Sequence, residues 1–189
     1  KGVGALYCKR GLPLNSFIEG GAQERNRRAG TENVAGIVSM AAALKEACEN
    51  MRTDSEKLLK LRDRLIDGLL TIPHSKLNGD RKNRLPGNVN ICFEGTEGES
   101  LLLNLDNAGI CASSGSACTT ASLEPSHVLL ALGLPHEIAH GSLRLTLSAD
   151  NTDEDIDYIL KEVPEAVKKV RAISSFWDDL TSGKTKHFI

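Results

Sequence analysis

The run Ser113-Ser114-Gly115-Ser116-Ala117-Cys118-Thr119-Thr120-Ala121-Ser122 surrounds one thiol with small, mostly hydroxylic side chains. A cysteine that serves packing has bulky apolar neighbours. This one has none, and Gly115 is a natural hinge beside it. Sulfur attacks as thiolate, which exposure and nearby positive charge favour. The run therefore reads as an accessible nucleophile, Cys118, or as a solvent-exposed loop whose thiol is idle; composition leaves both open. Arg144 is the second candidate, placed between Leu143 and Leu145 in an alternating apolar run. Its planar fork suits a carboxylate gripped by two parallel hydrogen bonds. Taken alone, an internal salt bridge or an edge-strand charge is the simpler account. A third group, Arg25, Arg27, Arg28 and Thr31, stands just ahead of an expected helix. Hydroxyl, backbone N–H and guanidinium groups at such a terminus gather phosphate, though a basic surface loop has the same composition. Cys8, Cys48, Cys92 and Cys111 read as packing residues. His74, His127, His136, His140 and His187 fall at no ligand spacing, and no structural zinc site is expected.

The elements that must position these groups follow from periodicity. Residues 1–7 alternate like a strand, and 8–13 form a turn. Thr31 is placed to cap a helix whose apolar stripe is Val34, Ile37, Val38, Ala41, Leu44 and Cys48, broken at Asn50-Met51-Arg52. Thr53 and Glu56 form a capping box that opens a second helix with Leu58, Leu61, Leu65 and Leu69 on one face, ended by Pro73. A domain boundary is expected near residue 51. Beyond it, short strands and helices alternate. Strands are expected at 88–93, 110–113 and 142–147, and helices at 98–106 and 124–132. Thr152 is placed to cap a last helix carrying Ile156, Ile159, Val163, Val167 and Val170, kinked at Pro164. Residues 181–189 read as a mobile polar tail.

A net charge of −2 over 189 residues gives no bulk attraction to nucleic acid or to an anionic membrane. No apolar run approaches the roughly 20 residues of a membrane span. Five cysteines, an odd number without regular spacing, argue for a reducing, cytoplasmic setting rather than a disulfide framework. The start, mid-strand and without Met, leads us to expect a piece of something longer.

Four blocks in order resemble one family, the NifS/IscS branch of cysteine desulfurases among the class V aminotransferase-like enzymes. They are residues 1–7, residues 20–31 with their Gln23-Glu24-Arg25 and Arg28-Ala29-Gly30-Thr31, the loop and its exit at 113–126, and Ala139 to Leu147. The loop block is the most specific. The resemblance implies an α/β fold of the pyridoxal-phosphate-dependent transferase type I, present as the C-terminal portion of the large domain (1–50) and an α+β small domain (51–189). It implies a homodimer that converts L-cysteine to L-alanine with pyridoxal 5'-phosphate as cofactor. Cys118 would be the catalytic thiol that carries the sulfur as a persulfide, and Arg144 would clamp the substrate carboxylate. Thr31 would reach the cofactor phosphate of the partner subunit, and no metal is implied. A sulfur-acceptor protein, such as an iron–sulfur scaffold, would take the persulfide. The family's Schiff-base lysine has no counterpart here, so the chain alone is expected to be inactive. A non-catalytic sulfur carrier, or an aminotransferase or lyase relative, are the competing readings.

Overall fold

A computed structural model describes residues 2–115 and 125–189. They fall into two compact units that divide after Arg52.

In the first unit, residues 2–8 are irregular rather than a strand. Alternation alone makes no strand, because a strand needs a neighbour for its backbone hydrogen bonds. A single turn, α1 (Gln23–Asn26), is built from Glu24, Arg25 and Asn26 with φ of 50°, 57° and 62°. That left-handed geometry costs L-residues roughly 1–2 kcal/mol each. It is closed from outside by the Gln23 side chain, which accepts from Gly30 N (3.1 Å), and by Ala29 N donating to Ile18 O (3.3 Å). The long helix α2 (Val34–Leu69) follows. Its cap is Asn33, whose Oδ1 accepts from Gly36 N at 3.0 Å, so Thr31 is not the capping residue. The helix runs through Asn50-Met51-Arg52 without a break, since none of the three is a Gly or Pro that would interrupt it. The Thr53 and Glu56 pair thus lies inside a helix rather than at its start. Val34, Ile37, Val38 and Leu44 are exposed, and so is Cys48.

In the second unit, β1 (Ser75–Leu77), β2 (Asn88–Phe93) and β3 (Ser142–Thr146) form an antiparallel sheet in the order β1-β2-β3. The period of two sends Val89, Ile91, Phe93, Leu143 and Leu145 to one face. There they pack in one core with Leu61, Leu65, Ile66 and Leu69 of α2, Leu101 and Leu105 of α3 (Gly98–Asn107), and Ile156, Val163 and Val167 of α6 (Asp153–Arg171). Each such side chain contributes about 1.5–3 kcal/mol by leaving water. The starts of α3 and α6 are fixed by side chains. The Glu97 carboxylate accepts from Glu99 N and Ser100 N at 2.8 Å each. Thr152 caps α6 as expected, and Asp155 completes a reciprocal capping box with it. That helix continues unbroken past Pro164.

A smaller apolar cluster of Cys92, Leu129, Leu134, Ile138 and Ala139 joins β2 to α4 (His127–Ala131) and α5 (His136–His140). The segment 110–113 is not a strand; it makes one bridge, Ser113 to Arg144. A further helix, α7 (Ser175–Thr181), precedes the expected tail, and residues 187–189 of that tail are tied back to the unit by hydrogen bonds. No helix among the described residues is long and apolar enough to cross a membrane.

Candidate active site

The alternation that buries Leu143 and Leu145 turns Arg144 to the opposite face of the sheet, where it is exposed. Its cross-strand neighbour in β2 is Asn90. On its other side Arg144 N donates to Ser113 O at 2.7 Å, and Ser113 N donates to Arg144 O at 3.1 Å. The root of the cysteine loop is therefore stitched to the backbone of the arginine. No carboxylate among the described residues pairs with the Arg144 guanidinium. Cys118 itself lies outside the described residues. The residues on either side of it, Gly115 and Ser126, line one cavity of about 300 Å³ together with Arg144. Gly115 has a φ of 56°, a left-handed turn that suits glycine. Close packing also holds the loop root. A Cβ on Gly98 would lie 2.8 Å from Ser114 Cβ and 2.9 Å from His140 O.

The rest of the cavity wall is polar on the sheet side, with Asn78, Arg84, Asn88 and Asn90, and apolar on the α4 side, with Val128, Leu129 and Leu132. Asn78 Nδ2 donates to Asn90 Oδ1 at 2.6 Å and sits 3.0 Å from Cys92 Sγ. Burial pushes the Cys92 thiol up to about 11, which keeps it protonated and unreactive. Cys92 is a packing residue as expected, whereas Cys48 and Cys111 are exposed and Cys8 is partly exposed. Arg84 Nη2 donates to Asn78 O at 3.0 Å, while its Nε and Nη1 are buried without partners. Burial, and next the charge of Arg62, hold the Arg84 guanidinium below its usual range. Spacing did not single out Arg84 or Arg62; an Arg in a Gly- and Asn-rich loop carries no periodic signal.

Thr31 lies in the first unit, exposed, two residues before the Asn33 cap. An exposed hydroxyl, the exposed Arg25 and Arg27 and the start of a 36-residue helix supply what a phosphate monoester binds. The phosphate end of pyridoxal phosphate thus fits this segment. Its aldehyde end finds no match among the described residues, because every described lysine is exposed and none lines the cavity.

A cluster that sequence spacing missed lies elsewhere in the second unit. Glu94 is fully buried, and its carboxylate takes His187 Nδ1 at 2.6 Å, Phe188 N at 2.7 Å and His74 Nδ1 at 3.3 Å. The two imidazoles stack with centroids 3.8 Å apart and planes 17° apart. Both Nδ1 atoms reach the same Glu94 oxygen, and one ligand atom from each of the three residues lies within 4.8 Å of the others, a grouping that could hold a metal ion although no ligand spacing in the sequence announces it. Residues 74, 94 and 187 share no local pattern.

The family model for aminotransferase class-V matches residues 1–159. A cysteine desulfurase IscS of Clostridium botulinum is 57% identical over 187 residues, covering 97% of this chain and 47% of that protein. A cysteine desulfurase IscS of Methanosarcina thermophila is 58% identical over 92% of this chain and 43% of its own length. The cysteine desulfurase NifS of Azotobacter vinelandii is 48% identical over 94% and 44%. Among solved structures, a NifS-like protein superimposes with a TM-score of 0.77 at 33% identity, over 86% of this chain and 41% of its own. A NifS-like protein from Rickettsia africae gives 0.75 at 30% identity, over 83% and 41%. The chain spans about half the length of the curated relatives it matches.

Proposed function

This chain belongs to the aminotransferase class-V family and has its α/β fold, and from that membership we propose that it serves a cysteine desulfurase. The reaction converts L-cysteine to L-alanine, with the sulfur carried on Cys118 and passed to an acceptor protein. The observation that supports this reading most is the shared cavity. Arg144, with no carboxylate partner among the described residues, lines it beside both flanks of the cysteine loop.

Pyridoxal phosphate, when bound, supplies the electron sink that weakens the bond from the substrate to its sulfur. The residues of this chain then have separable tasks. Arg144 grips the substrate carboxylate through its fork, which sets the direction of the sulfur and converts a chance collision into a positioned one. Cys118, as thiolate, attacks that sulfur. An S–S bond forms as the C–S bond breaks, and the three-carbon remainder leaves as alanine. Thr31 holds the cofactor phosphate, in this reading from the partner subunit of a homodimer. Residues 1–50 are then the end of the cofactor-binding large domain, and 51–189 the small domain that carries the thiol. A loop of small residues is suited to carry the persulfide from the substrate to an acceptor such as an iron–sulfur scaffold.

The test is kinetic. Replacing Arg144 with Met in the full-length enzyme removes the carboxylate clamp. It should lower kcat/KM for L-cysteine by about 10²-fold, the loss of roughly 3 kcal/mol of a charge-assisted bidentate contact. The cofactor absorbance should be kept. Unchanged kcat/KM would contradict the assignment of Arg144.

A further inference from the structure

We propose that Arg84, held by Asn78, forms a second oxyanion-binding subsite on the wall of the Arg144 cavity. The chemistry it fits is a carboxylate, sulfate or phosphate group.

Arg62 lies on the buried face of α2 with 4% of its side chain exposed. Its Nε and Nη2 go to Asp63 Oδ1 at 3.0 and 2.8 Å, and its Nη1 is buried without a partner. Arg84 spends one nitrogen on Asn78 O, and its Nε and Nη1 are likewise buried and unpartnered. Arg62 and Arg84 therefore leave three nitrogens without partners among the described residues, and Asn78 Oδ1 is an unmet acceptor as well. Nearby carboxylates are committed elsewhere. Asp80 accepts from Lys82 N and Asn83 N at 2.7 and 2.6 Å, and Asp67 pairs with Arg81 at 2.6 Å.

Buried polar groups in folded chains find partners, and unpartnered ones call for a cause. Like charges buried side by side are stable when an anion joins them. Within the chain Asp63 answers two nitrogens of Arg62, and the charges of Asp80 and Asp63 also act on Arg84, but among the described residues no carboxylate oxygen is hydrogen-bonded to the Arg84 fork. The cavity can supply one: Arg84 and Asn78 both line it, and about 300 Å³ is within the range of small-ligand sites. The planar fork matches an oxyanion through two parallel N–H bonds. An anion in the cavity gives Arg84 a partner toward which its free edge can turn. Asn88 and Asn90 add polar side chains to the same wall. The subsite needs neither the cofactor nor the thiol, so it stands apart from the desulfurase reading.

The test uses the full-length protein with sodium sulfate as probe and sodium chloride at matched ionic strength as control. Calorimetric titration and the melting temperature are the readouts. Sulfate should bind saturably and raise the melting temperature above the chloride control. Arg84→Gln should weaken that binding at least about tenfold, as loss of one charged fork does. Arg144→Gln should leave an Arg84-dependent response in place. If Arg84→Gln does not fold, Arg84→Lys keeps the charge without the fork and should show the weakened response instead. A wild-type response to sulfate no greater than to chloride, or one undiminished in the Arg84 variant, would overturn the subsite. Desulfurase activity measured on the same samples is judged separately.

Discussion

Two clusters in the second unit bury charge in opposite ways. Around Glu94 no buried side-chain atom lacks a partner among the described residues. The carboxylate takes His187, Phe188 N and His74, and Arg171 Nε donates to Glu94 O at 2.9 Å. Arg171 Nη2 reaches Pro73 O at 2.9 Å, and the guanidinium stacks 4.0 Å from the Trp177 ring centroid. Burial still holds Arg171 down, to about 10. Around Arg84 and Arg62 the same kind of burial leaves three nitrogens unanswered. A closed cluster holds the fold together, here by fastening residues 187–189 to the core. An open one next to a cavity is where a ligand completes the set.

The largest expected effect would break the closed cluster. Glu94→Ala strands two imidazoles and an amide beside the buried Arg171, and should cost about 3–5 kcal/mol of unfolding free energy. Arg84→Gln, measured without sulfate, should cost less than about 1 kcal/mol, because two of its nitrogens have no partner to lose. Urea unfolding of both variants checks the contrast. Equal losses would erase the distinction between the clusters. Gly98→Ala gives a smaller and sharper test of the cavity rim. Its new methyl meets Ser114 Cβ and the His140 carbonyl, and overpacking of this kind costs roughly 1–3 kcal/mol. Because Ser114 adjoins the Ser113 bridge to Arg144, desulfuration by Gly98→Ala should fall along with its melting temperature. A melting temperature equal to wild type would show that Ser114 yields freely.

The second unit could be read from its pattern because apolar residues recur at every second position, at Val89, Ile91 and Phe93 and at Leu143 and Leu145. That period also marked Arg144 as the charge on the opposite face, where Cys92 and Ser142 are nonetheless buried. Thr152 read correctly as the cap of α6, a local reciprocal motif whose other half, Asp155, was not singled out. The same motif misled at Thr53 and Glu56, where i, i+3 spacing fits a helix interior as well as a start. Residues 2–8 misled in another way, because alternation does not report whether a partner strand is present. The Glu94 cluster was hidden by distance along the chain, and His187 was assigned to a mobile tail. Arg62 and Arg84 were hidden because a helix face and a loop meet only after folding. Cys118 stood out by the chemistry of its neighbours, and its place remains beyond the described residues.

The most direct test of the central claim follows the sulfur. The full-length enzyme is given a single turnover of 35S-labelled L-cysteine without acceptor, quenched, and digested for peptide mapping. Label should be held on the peptide containing Cys118, releasable by thiol reductant, with one alanine formed per labelled site. It should be absent from Cys118→Ala, with the cofactor absorbance of that variant intact. Label on Cys111 or another cysteine, or undiminished sulfur transfer by Cys118→Ala, would contradict the claim.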